Sequence, residues 1–72
     1  MDTKAFAKQV SQYTDEFLLE QYDNAVDQRE AYWNNAEYAY TREQREHYLE
    51  GYARAKEEVK IILAEARKRG IA

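Results

Sequence analysis

The chain has no cysteine and no proline, and only two glycines among its 72 residues. Without cysteine there is neither a disulfide nor a thiolate metal site. Without proline nothing in the interior breaks a long helix outright. The single histidine leaves any all-protein zinc site within one chain dependent on carboxylates. Long apolar runs are missing as well. Charged residues make up 35% of the chain and the mean hydropathy is −1.00, and no stretch approaches the ~20 apolar residues that a membrane-crossing helix needs. No basic-then-apolar segment opens the chain. Also absent are a Gly-rich phosphate loop, a nucleophile motif and an identifiable buried acid–base pair. The expectation is a cytoplasmic, non-catalytic protein with no cofactor, no metal and no membrane contact.

What is present is a composition of helix formers, rich in Ala, Glu, Gln, Lys and Arg. An all-α single domain over residues 1–72 follows. Its clearest signal lies between Tyr48 and Ala66. There Tyr48, Tyr52, Ala55, Val59, Ile62 and Ala66 alternate by four and three, flanked by Leu49 and Leu63, which makes one apolar stripe along more than five turns. Residues 14–40 carry a matching set. Leu19, Tyr22, Val26, Trp33, Ala36 and Tyr40 keep heptad spacing, with Leu18, Ala25, Tyr32 and Ala39 alongside. Arg29 is a polar intrusion in that row, with three outlets: snorkelling, stacking on Tyr32 or Trp33, or pairing with an acid.

Helix ends are marked too. Thr14 is an acceptable N-cap, Asp15 and Glu16 suit the first turn, and Tyr13 and Leu18 stand at the two positions of a hydrophobic staple. Thr41 with Gln44 satisfies the capping-box pattern, so a second helix starts there. Arg67, Lys68 and Arg69 followed by Gly70 end it. Predicted elements are therefore a short helix or arm over 1–12, a helix over 14–40 and a helix over 41–70. Phe6, Val10 and Tyr13 give the first segment an apolar side that docks on the rest. The fold expected is a long antiparallel helical hairpin with a short N-terminal helix, dimerising into a four-helix bundle. Its rivals are a monomer in which the N-terminal segment serves as third helix, and one continuous rod through Thr41. Asn34–Asn35 is the weak point of the first long helix, and Gly51 marks either close helix approach or a soft spot in the second. In the dimer or core seam we place Leu19, Tyr22, Val26, Trp33, Tyr48, Tyr52, Val59, Ile62 and Leu63.

Charge is distributed unevenly. Residues 14–40 hold seven acids against Arg29 alone, a balance of −6, and residues 41–72 balance at +2. Glu16, Glu20, Asp23, Asp27, Glu30 and Glu37 follow a 4-3-4-3-7 spacing and form one carboxylate line beside the apolar seam. Such a line either occupies a basic groove on a partner, as a phosphate backbone does, or is a solvated rim paired with Arg42, Arg45, Lys56, Lys60 and Arg67. With exposed Tyr38 it forms the candidate partner-binding set. His47 shares a face with Glu43 and Glu50, the geometry of a carboxylate–histidine site. The Glu-x-x-His signature fails there because Gln44 stands three before His47. Basic residues near the C-terminus alternate with Glu57, Glu58 and Glu65, which disfavours direct nucleic-acid contact.

Thr14-Asp15-Glu16-Phe17-Leu18-Leu19 with Tyr22 and Ala25, and later Val59, Ile61, Ile62 and Glu65 with Arg67-Lys68-Arg69-Gly70-Ile71, resemble the two helices of the Sda-type sporulation-checkpoint inhibitors of histidine kinases. The stretch between, about Asp27 to Glu58, is longer here. The resemblance implies an antiparallel hairpin that binds the dimerisation helices of a sensor kinase and blocks its autophosphorylation. The reading that results is a small regulatory or inhibitory protein that binds a partner, either such a kinase or a nucleic-acid-binding protein. The alternatives are a self-assembling structural subunit and a DNA-mimic-like inhibitor.

Overall fold

A computed structural model describes residues 2–72; of the predicted N-terminal segment, Met1 lies outside the described residues. Three helices follow in order: α1, Thr3–Val10; α2, Asp15–Glu37; α3, Arg42–Arg69. α2 and α3 pack as an antiparallel hairpin, and α1 folds back onto α3. The chain by itself therefore forms the three-helix arrangement.

Each boundary has a chemical cause. The Asp2 carboxylate accepts from the backbone N–H groups of Lys4 and Ala5, both at 3.1 Å, and starts α1. Thr14 accepts from the Phe17 N–H at 3.2 Å and starts α2. α2 runs unbroken through Asn34–Asn35 but stops at Glu37, three residues short of the predicted end. The reason lies in the capping box of the next helix. Thr41 accepts from the Gln44 N–H at 3.1 Å, and the Gln44 side chain reaches back to accept from the Tyr40 N–H at 3.2 Å. That box pulls residues 38–41 out of helical geometry and makes them the turn. α3 ends with Gly70 in the left-handed region at φ 75°, and the Ile71 N–H reaches the Ala66 carbonyl at 3.0 Å. This is the Schellman closure that favours glycine.

The core sits at the open end of the hairpin. Val10, Leu18, Ala25, Val59, Ile62 and Ala66 are buried together, with Phe6, Tyr13, Ile61 and Ile71 packed around them. Leu18 and Val10 are fully enclosed, each contributing roughly 1.5–3 kcal/mol by burial. The turn half is built differently. There the buried positions are Ala36, Gly51 and Ala55, residues small enough to let the two backbones close on each other. An alanine at position 51 would set its Cβ 2.4 Å from the Tyr32 ring. Gly51 thus marks close approach, and the ring that needs the space is Tyr32. No polar or charged residue is buried among the described residues.

The seam on α2 keeps the predicted Tyr22 and Val26, both partly buried and packed against the core, and departs from the predicted one at Leu19 and Trp33. The side facing α3 carries Leu18, Ala25 and Ala36, all buried, with Tyr22, Arg29, Tyr32 and Ala39 partly buried between them. Leu19 and Trp33, expected in the seam, are 41% and 46% exposed, and Tyr40 is 96% exposed. Both rows have heptad spacing, so periodicity alone does not choose between them. The choice follows from volume: small buried residues on both helices, Ala25 and Ala36 on α2 and Gly51 and Ala55 on α3, admit close packing of the two, which a row containing Trp33 does not. On α3 the buried row is Gly51, Ala55, Val59, Ile62 and Ala66, with Tyr48, Tyr52 and Leu63 partly buried.

Candidate interaction surface

Arg69 holds the three helices together at the open end. Its guanidinium donates to Asp15 at 2.9 Å, to Glu65 at 3.3 Å, and to the carbonyls of Val10 and Ser11 at 3.4 and 3.1 Å. The two carbonyls belong to the end of α1, where the last helical carbonyls lack intrahelical partners; the Val10 one also accepts from the Tyr13 N–H at 3.1 Å. The Asp15 hydrogen bond, ahead of the Glu65 one, raises the Arg69 pKa above its ordinary value against the opposing effect of burial. From its position in the sequence Arg69 reads only as compensation for the α3 dipole. Apart from Glu65, one helical turn away, its partners lie 54 to 59 residues away, and no local spacing announces those.

With Arg69 committed to the fold, three surfaces remain. The first is the acidic row. Glu16, Glu20, Asp23, Asp27, Glu30 and Glu37 are all exposed. Among the described residues the ion pairs are Arg42–Glu46, Arg69–Asp15 and Arg69–Glu65, so none of the six is neutralised within the chain. Arg45, Lys56, Lys60 and Arg67, the cations expected to pair with them, are exposed and take no part in those pairs.

The second surface is apolar. Leu19, Val26 and Trp33 recur every seven residues on α2, displaced from the buried row toward the side away from α1. Trp33 lies against Tyr52 of α3 with ring centroids 5.1 Å apart and planes tilted by 50°. This edge is worth about 0.5–1.5 kcal/mol beyond its area, yet it leaves half of the indole to solvent. Arg29, Glu30 and Asn34 join the two rings around an open groove of about 380 Å³. Arg29 is partly buried, lines this groove beside Trp33, and takes no part in the ion pairs found among the described residues.

The third surface is the turn. Tyr38 is 80% exposed, as expected, and Tyr40 stands beside it fully in solvent. Behind them Ala39, Tyr40, Arg42, Arg45 and Leu49 line a second open groove. Large rigid rings with a polar tip are among the side chains that binding interfaces favour. His47 is exposed and its ring neighbours Tyr48 at 5.8 Å. Among the described residues no cluster of three or more His, Cys, Asp or Glu side chains is arranged to hold a metal ion. Among the described residues no helix is long and apolar enough to cross a membrane.

Compared with family models, with characterised proteins and with solved structures, the chain matches none.

Proposed function

We propose that this protein is a small cytoplasmic regulator or inhibitor, without catalytic activity, that works as a homodimer and binds a partner protein through its helical faces. The observation that carries the reading is the acidic row: six carboxylates on one side of α2, exposed and without a cation of their own chain. Like charges held at this spacing repel one another, so the row costs stability in isolation and is relieved by a basic partner. The hairpin architecture and the two similar passages favour a helical partner such as the dimerisation helices of a sensor kinase. The phosphate-like spacing favours instead the basic groove of a nucleic-acid-binding protein.

The test uses the tagged full chain as bait, compared with a Glu20→Lys/Asp27→Lys variant, at low and high salt. A single protein retained by the native chain at low salt, released at high salt and lost in the variant supports the reading, provided helicity by circular dichroism is unchanged. Equal retention by both baits removes the acidic row from the mechanism. The second reading, a self-assembling structural subunit, draws on the exposure of Leu19 and Trp33. Light scattering separates the two: a ladder of large species favours assembly, and one discrete small species favours the regulator.

A further inference from the structure

The hairpin has two broad sides, and α1 covers only one. Phe6 and Tyr13 lie over the side lined by Gln21, Asn24 and Glu58. The opposite side bears Leu19, Val26 and Trp33 of α2 with Tyr52 and Leu63 of α3, all at least partly exposed. Its two borders differ in charge. On the outer border of α2, Glu16, Asp23 and Glu30 recur every seven residues; on the outer border of α3 lie Lys56, Lys60 and Arg67. Helical spacing puts each set at the corner between the uncovered side and the hairpin's outer edge. The full width of the hairpin separates them within one chain, and no pair forms between them.

We infer that this side is occupied by a second copy of the chain, related by a two-fold axis parallel to the helices, so that α2 of each copy lies on α3 of the other. The inference rests on the homodimer proposed above and adds its face, its orientation and its pairing. Rotation about that axis exchanges left and right while keeping every residue at its own height along the bundle. Heights are given by contacts within the chain: Asp15 is level with Arg69, and Trp33 with Tyr52. Carried across the interface, the same levels bring Glu16 to Arg67, Asp23 to Lys60 and Glu30 to Lys56, each pair occurring twice. Glu37 meets Arg45 near the turn in the same way. The apolar row between the borders closes over its counterpart, and all four neighbouring helix pairs become antiparallel, the arrangement that helix dipoles favour. The competing axis, perpendicular to the helices, lays α2 on α2 and sets acid against acid, which like-charge repulsion opposes. Glu20 and Asp27 turn away from the interface and stay open to another protein.

The experiment is sedimentation of the full chain from ~1 µM to ~1 mM at low and at high salt, where surface pairing is screened. We expect a monomer–dimer equilibrium that weakens with salt. Trp33→Glu and, independently, Leu19→Glu replace exposed residues outside the buried core, so helicity persists and the dimer is lost. Asp23→Lys/Glu30→Lys and Lys56→Glu/Lys60→Glu each reverse four cross-chain contacts and are expected to weaken association by about tenfold or more. An equimolar mixture of the two double variants restores every pair and returns association to near the native level. A dimer of native strength in either double variant, or no recovery on mixing, overturns the orientation but leaves a homodimer standing. A dimer unaffected by Trp33→Glu and Leu19→Glu overturns the face. A chain still monomeric at ~1 mM removes this inference and the homodimer together.

Discussion

Gly51→Ala tests the packing of the turn half most directly, because two familiar effects oppose each other there. In an exposed helix interior, replacing glycine by alanine stabilises by roughly 1 kcal/mol, through lower backbone entropy in the unfolded chain. At position 51 the new methyl would lie 2.4, 2.6 and 2.7 Å from three atoms of the Tyr32 ring. Ordinary carbon contact begins near ~3.5 Å, so the ring must retreat by about 1 Å. Tyr32 is partly buried against α3, and retreat of the ring disturbs the hydrogen bond that its hydroxyl accepts from Arg54 at 3.4 Å. Overpacking of this kind costs about 1–3 kcal/mol. Repulsion wins, and the expected net effect is a destabilisation of about 1 kcal/mol. In a chain of this size that is a fall in Tm of roughly 4–8 °C. The assay is urea and thermal unfolding followed at 222 nm at one fixed protein concentration. Tyr32→Ala supplies the control: once the ring is removed, Gly51→Ala should revert to stabilising by about 1 kcal/mol, giving a coupling energy of about 2 kcal/mol in the double-mutant cycle. A rise in Tm for Gly51→Ala in the native background would refute the close approach of α2 and α3 at this level.

The other predictions address the remaining parts of the fold and surface. Leu18→Ala, at a fully buried position, should cost about 2–4 kcal/mol in urea unfolding, whereas Leu19→Ala, one residue on, should cost less than 1 kcal/mol in the monomer. A reversed order would restore the seam read from periodicity. Thr41→Ala removes the cap of α3 and should cost about 1 kcal/mol, with the earliest loss of amide protection at residues 42–45. Arg69→Gln breaks the junction of α1, α2 and α3. Hydrogen exchange should show α1 deprotected first while the centre of α3 stays slow; uniform loss of protection would mean that α1 is held by Phe6 and Val10 alone. Trp33, the single tryptophan, should shift its emission to shorter wavelength as concentration rises, and should not do so in the Leu19→Glu variant.

Much of the architecture was legible in the sequence because it is governed by local chemistry. The absence of proline, the caps at Thr14 and Thr41, the basic stop before Gly70 and the apolar row of α3 all act within one or two helical turns. They give the order short helix, long helix, long helix, and the burial of Val59, Ile62 and Ala66. The acidic row and the exposure of Tyr38 were legible for the same reason, since spacing determines which residues share a helix face. Three things were decided only in the tertiary structure. Two parallel rows on α2 fit one heptad period equally well, and only the close approach to α3 that Ala25 and Ala36 permit turns Leu18 inward and leaves Leu19 and Trp33 outside. Gly51 becomes necessary only when a ring from another helix arrives over it. Arg69 becomes the clasp of the molecule only when the ends of α1 and α2 are brought beside α3, because a guanidinium with five donors takes whatever acceptors the packing presents. Periodicity specifies a face within each helix; volume and contact between helices decide which face is spent on the fold and which is left for another molecule.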